Sequence, residues 1–108
     1  MTVEQLSQCS DFKVLSMPEP EREIVGAYVG DLLSWVMGKT QADNAWITIM
    51  SNINVIAVAS LSDVACIILA EDVTLDDMVL NTAKQKGINV LSTSRTSFET
   101  AVFLSGNV

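Results

Sequence analysis

From Ile24 to Leu69 the chain repeats one unit, in which a short apolar run breaks at small or polar residues and a stretch of helical character follows. Val25-Gly26-Ala27-Tyr28-Val29 stops at Gly30-Asp31, Ala45-Trp46-Ile47-Thr48-Ile49-Met50 at Ser51-Asn52, and Cys66-Ile67-Ile68-Leu69 at Glu71-Asp72. Such runs read as parallel strands whose ends gather along one edge of a sheet. In an open α/β sheet that edge, beyond the carboxyl ends of the strands, is where ligands bind.

The intervening segments carry helix signals. Asp31 precedes Leu32 to Met37 as a candidate N-cap, with Gly38 as the stop. Asn52 or Asn54 has the same position before Val55 to Leu61. Thr74 with Asp77 three residues on resembles a capping box, and Leu75, Met78, Val79 and Ala83 then recur at helical spacing as far as about Lys86, with Gly87 as terminator. Ile88 to Leu91 reads as a last strand, and Thr96 or Ser97 opens a final helix through about Leu104. Before the repeat, Thr2 caps a short helix through about Gln8, Phe12 to Leu15 reads as a first strand, and Met17 to Glu23 forms a charged connection containing Pro18 and Pro20. Strands alternating with helices on short connections predict an α/β fold: a mostly parallel sheet of about five strands with helices on both faces, in a single domain over residues 1–108.

A length of 108 residues suits one core, and 49% apolar against 18% charged residues argues against disorder. So little polar surface predicts an exposed apolar patch, and self-association, as a homodimer, is the expected way to cover it. A net charge of −7 without any Lys/Arg cluster argues against nucleic acid or an anionic membrane as partner. The longest apolar region, Ile53 to Ala70, is interrupted by Asn54, Ser60, Ser62 and Asp63, so it reads as helix, turn and strand rather than a membrane span. The amino terminus lacks the pattern of a signal peptide, and Cys9 and Cys66 form no disulfide framework or metal motif. A cytoplasmic location follows as the expectation.

The chain contains no histidine, which removes the commonest general base and the commonest metal ligand. Gly38-Lys39-Thr40 matches the last three positions of a P-loop, yet Leu33 stands where its first glycine belongs, and the tripeptide closes a helix instead of opening one. Glu71-Asp72 and Asp76-Asp77 flank a strand-to-helix turn and match no calcium loop; helix amino termini favour acidic residues in any case. No catalytic residue, metal ligand or cofactor is therefore assigned. The candidate ligand-binding set lies where loop ends converge: Gly30 and Asp31; Ser51, Asn52 and Asn54; Thr93, Ser94 and Arg95. Free amides, hydroxyls, side-chain amides and one guanidinium suit a small anionic or nucleotide-like ligand. The same residue types are the best helix starters, so each also has a reading as a cap. Trp35, Trp46 and Tyr28 are expected in the core, or Trp35 with Met37 in a face between two copies.

Tyr28-Val29-Gly30-Asp31-Leu32-Leu33-Ser34, Met37-Gly38-Lys39, Ala45 to Ile49, Asn52 to Ala59 and Gly87 to Thr93 together resemble stand-alone DRTGG domains, over nearly the whole chain. The literal Asp-Arg-Thr-Gly-Gly string is absent, with Arg95-Thr96 its nearest fragment. The resemblance implies an α/β domain similar to the amino-terminal domain of HPr kinase/phosphorylases, also found beside CBS domains in regulated pyrophosphatases and in some phosphotransacetylases. It further implies a regulatory or dimer-forming accessory role, without the kinase chemistry that resides in those relatives' separate P-loop domain. Two functions follow as expectations: a non-catalytic dimeric module sensing a small ligand at the sheet edge, or a purely structural adaptor docking a partner enzyme.

Overall fold

The computed structural model describes all 108 residues. Ten elements follow in order: α1 (Val3–Ser7), β1 (Phe12–Ser16), β2 (Gly26–Val29), α2 (Leu33–Lys39), β3 (Asn44–Thr48), α3 (Ile53–Ser62), β4 (Cys66–Leu69), α4 (Asp77–Gln85), β5 (Val90–Thr93) and α5 (Ser97–Ser105). The five strands form one sheet in the order β1-β5-β4-β3-β2. β2, β3, β4 and β5 are parallel neighbours, and β1 joins β5 antiparallel. The expected α/β class and mostly parallel sheet are therefore present, with one antiparallel edge. No helix is long and apolar enough to cross a membrane.

Because β2 to β5 are adjacent in chain order, each crossover steps one strand over in the same direction, and α2, α3 and α4 line up on one face. Their Val36, Val55, Ile56, Ala59, Val79 and Ala83 pack on Trp46, Ile67, Leu69 and Val90 of the sheet. The other face presents Ala45, Ile47, Cys66, Ile68 and Leu91 to Val3 and Leu6 of α1 and Leu104 of α5. β3 and β4 are buried on both faces, so their sequences are near-continuous apolar runs without the alternation of a half-exposed strand.

Several boundaries fall elsewhere than local signals place them. α2 begins at Leu33 with Leu32 at the cap position and no side-chain cap, because the Asp31 carboxylate is turned to β3 instead. Gly38 lies inside α2, which runs on to Lys39 with Thr40 as its C-cap. Asp76, not Thr74, caps α4 by accepting from the Val79 amide. β5 starts two residues after the predicted Ile88, since the Ile88 amide still closes the end of α4 on Ala83 O at 2.9 Å, after Gly87 has turned with φ +74°. Thr2 and Thr96 do cap their helices, each with a reciprocal partner, Gln5 and Glu99.

The segment from Met17 to Glu23, expected as a plain connection, is strapped across the amino edge of the sheet. Buried Asn89 exchanges two bonds with the Glu19 backbone, accepting from its amide at 2.9 Å and donating to its carbonyl at 2.8 Å, and donates also to Ala65 O at 2.9 Å. Arg22 holds the Asp43 and Asp63 carboxylates and donates to Asp63 O. Asp43 and Asp63 are both left-handed, at φ 64° and 55°, a conformation that Asp tolerates better than most side chains.

Asn89→Ala strands three backbone groups at a buried site, so it is expected to cost about 2–4 kcal/mol in urea unfolding, with the slope of the transition unchanged. Cys66 supplies a pH-dependent expectation. Complete burial pushes its thiol up from 9.0 to about 12, slightly opposed by the Arg22 charge. Between those values the unfolded thiol ionises while the folded one stays protonated, so this group's contribution is intact below pH 9 and is lost as pH rises. The slope is up to about 1.4 kcal/mol per pH unit. Stability measured against pH is expected to fall less steeply across that window in Cys66→Ala than in the parent chain.

Candidate functional site

The carboxyl ends of β2 to β5 share one edge with the start of antiparallel β1. Since no two neighbouring crossovers diverge to opposite faces, this edge has no central switch-point crevice of the kind the sheet class usually offers. Its recesses open at the two corners instead.

At the β2 corner, the loop is pinned before it enters α2. Asp31 accepts from Thr48 Oγ1 at 2.8 Å and from the Ile49 amide at 3.1 Å, and Trp46 Nε1 donates to Gly30 O at 2.9 Å. The Tyr28 ring lies over Gly30, where a Cβ would stand 2.9 Å from its Cε2, so a larger residue there would push the ring aside. A recess of about 400 Å³ results, lined by Tyr28, Val29, Gly30, Asp31, Leu32 and Trp35. Trp46 is in the core as expected, whereas Trp35 is 60% exposed. Lys39 Nζ stands 5.5 Å from the Trp35 ring centroid, a cation–π distance that places one positive charge beside the recess.

In the middle of the edge, Asn52 caps α3 by accepting from the Asn54 amide at 2.9 Å. Ser51, Asn52 and Asn54 line neither recess. At the β5 corner, Thr93 Oγ1 accepts from the Arg95 amide at 3.2 Å. The Arg95 guanidinium is engaged by Asp11, with Nη2 at 2.9 Å and Nε at 3.1 Å from the same carboxylate oxygen. It also lies 4.8 Å from the Phe103 ring centroid. That pairing occupies the cation expected to meet an anion. Thr96 meanwhile caps α5, and its amide and hydroxyl hold the Glu99 carboxyl below the usual carboxylate range. Thr93 and Ser94 line the second recess, of about 240 Å³, together with Ser10, Asp11, Phe12, Lys13, Asp72 and Ser92.

The Glu71-Asp72 turn is bonded across to this corner, the Glu71 amide to Arg95 O and the Asp72 amide to Thr93 O, both at 2.9 Å. No three of the chain's carboxylates and thiols converge closely enough to hold a metal ion. Of the residues that the sequence points to, Gly30 and Asp31 line one recess and Thr93 and Ser94 the other, while most of the walls come from residues with no such signal. Tyr28, Leu32 and Trp35 look like ordinary core positions in the linear pattern. Ser10, Asp11 and Lys13 reach the edge only because β1 pairs with β5, and no local signal carries that pairing.

Among solved structures, the chain is similar to the CBS and DRTGG domains of the regulatory region of Clostridium perfringens pyrophosphatase, determined in complex with the activator diadenosine tetraphosphate. The match has a TM-score of 0.66 at 18% identity and covers 86% of this chain, which spans 40% of that one. At that identity the likeness shows a shared fold. No curated protein matches the chain. The model of the DRTGG domain matches residues 13–106, from the second residue of β1 to the turn after α5, and by that match the chain belongs to the DRTGG domain family.

Proposed function

We propose that the chain is a non-catalytic regulatory module of the cytoplasm that self-associates and senses a nucleotide-like ligand at the carboxyl edge of its sheet, on behalf of a partner enzyme. The base lies in the β2-corner recess, between Tyr28 and Trp35, with Gly30 and Asp31 beneath it. The observation that carries this reading is the recess itself: about 400 Å³ with apolar and aromatic walls, inside the range of small-molecule sites. Its floor is fixed by the bonds of Asp31 and Gly30 to β3, so little ordering accompanies binding. Lys39 is the group placed to meet phosphate, since Arg95 is already paired with Asp11. The pyrophosphatase regulatory region that shares the fold is activated by a nucleotide, which agrees with this class of ligand.

A second reading, a docking module without a small ligand, is favoured by the exposure of Leu32, Trp35 and Met37 along α2 and its approach. The two separate in a melting experiment with AMP, ATP and diadenosine tetraphosphate. A sensed nucleotide at a hundredfold its Kd adds about 2.7 kcal/mol and raises Tm. Trp35→Ala is expected to abolish that rise while leaving the ligand-free Tm nearly unchanged, because the side chain is 60% exposed. An unmoved Tm with all three nucleotides would sink the sensing role. Light scattering tests self-association independently, with a mass of two chains expected.

A further inference from the structure

The recess at the β5 corner has a chemistry different from the first. Lys13 and Ser92 are cross-strand partners on β1 and β5, and Ser92 is also register partner to Leu69 of β4. Their side chains share one face, bordered by the Ser10-Asp11 turn, the Asp72 turn and Ser94. Ser92 is only 7% exposed, yet its hydroxyl makes no bond to the protein. Buried hydroxyls are nearly always paired, and no fully enclosed side-chain nitrogen or oxygen in this chain lacks a partner. The remaining accessibility of Ser92 therefore faces the recess that it lines. Asp72 and Lys13 form no ion pair, while Asp11 is committed to Arg95.

We propose that this recess is a binding site for a small neutral polyol of monosaccharide size. The lining offers hydroxyls that both donate and accept, from Ser10, Ser92 and Ser94, with one acceptor-only carboxylate, Asp72, and one donor-only ammonium, Lys13. Sugar hydroxyls, which also donate and accept, match that set, and a free carboxylate takes two neighbouring hydroxyls at once. An anion is opposed by the unpaired Asp72 carboxylate, and a bare metal ion finds no third carboxylate or thiol. Phe12 is the one apolar residue in the lining, too little for a flat aromatic ligand, and about 240 Å³ is below the size of drug-like sites. The site is preorganised, because the Glu71 and Asp72 amides are bonded to the carbonyls of Arg95 and Thr93. It shares no residue with the Tyr28–Trp35 recess and goes beyond the function proposed above.

The test is an amide NMR titration of the full chain with D-ribose, D-glucose and myo-inositol, with inorganic phosphate as comparison. Saturable shifts with at least one polyol are expected at Ser10 to Lys13, Asp72 and Ser92 to Ser94. Ser92→Ala removes no bond within the protein, and Asp72→Asn suits the left-handed φ of 61°, so both variants are expected to keep the parent spectrum elsewhere. Each is expected to weaken binding about tenfold or more. The inference is overturned if none of the polyols gives a saturable shift, if phosphate alone produces the shifts, or if both variants respond like the parent. Nucleotide-dependent melting reads the opposite corner, so either site can fail without the other.

Discussion

Burial of β3 and β4 on both faces is the constraint on which the rest of the structure depends. A strand enclosed by helices above and below has no water to satisfy its polar groups, so each such group must find a partner inside the chain. Thr48 at the end of β3 finds Asp31, Trp46 finds the Gly30 carbonyl, and Asn44 reaches Thr40. The loops at the carboxyl edge are fixed by these obligations. Asp31 is therefore a brace for the sheet, and α2 starts without a side-chain cap.

The same logic explains where open chemistry remains. Crossovers that all step in one direction stack α2, α3 and α4 side by side, so the centre of the edge is filled by caps and braces. The corners are different because each has an outer strand with one unpaired side. At one, the β2 edge leaves aromatic and aliphatic walls facing solvent; at the other, antiparallel β1 brings a lysine and a serine turn against the end of β5. Two recesses of opposite character result, one apolar and one hydroxyl-rich. The chain belongs to the DRTGG domain family and shares its fold with a pyrophosphatase regulatory region.

Much of this fold was legible in the sequence because it rests on local rules. The apolar runs at Ala45 and Cys66, the caps at Thr2, Asn52 and Thr96, and the glycine turn at Gly87 all depend on neighbours within a few residues. What was not legible depends on distant partners. Asp31 has every local mark of an N-cap, and only the register of β2 on β3 sends its carboxylate to Thr48. Ser92 and Thr93 look like loop residues until β1 pairs with both and β4 with Ser92. Arg95 looks like a free cation until Asp11 arrives from the other end of the chain. The candidate site was therefore half visible: its loops could be read, and its walls could not.

The antiparallel pairing of β1 with β5 has a consequence for how the chain is made. Phe12 pairs with Thr93 and Lys13 with Ser92, so β1 leaves the ribosome ahead of β2 to β5 and has no sheet partner until β5, the last of them, has emerged. Closing so long a loop is slow compared with local pairing, and it comes late. The parallel unit from β2 to β5 and its three helices has mostly nearest-neighbour contacts and is free to assemble first, with β1 waiting as an unpaired amphipathic segment. Once β5 has joined that unit its outer edge stays open, the kind of edge that other chains can pair with, until β1 folds back and closes it.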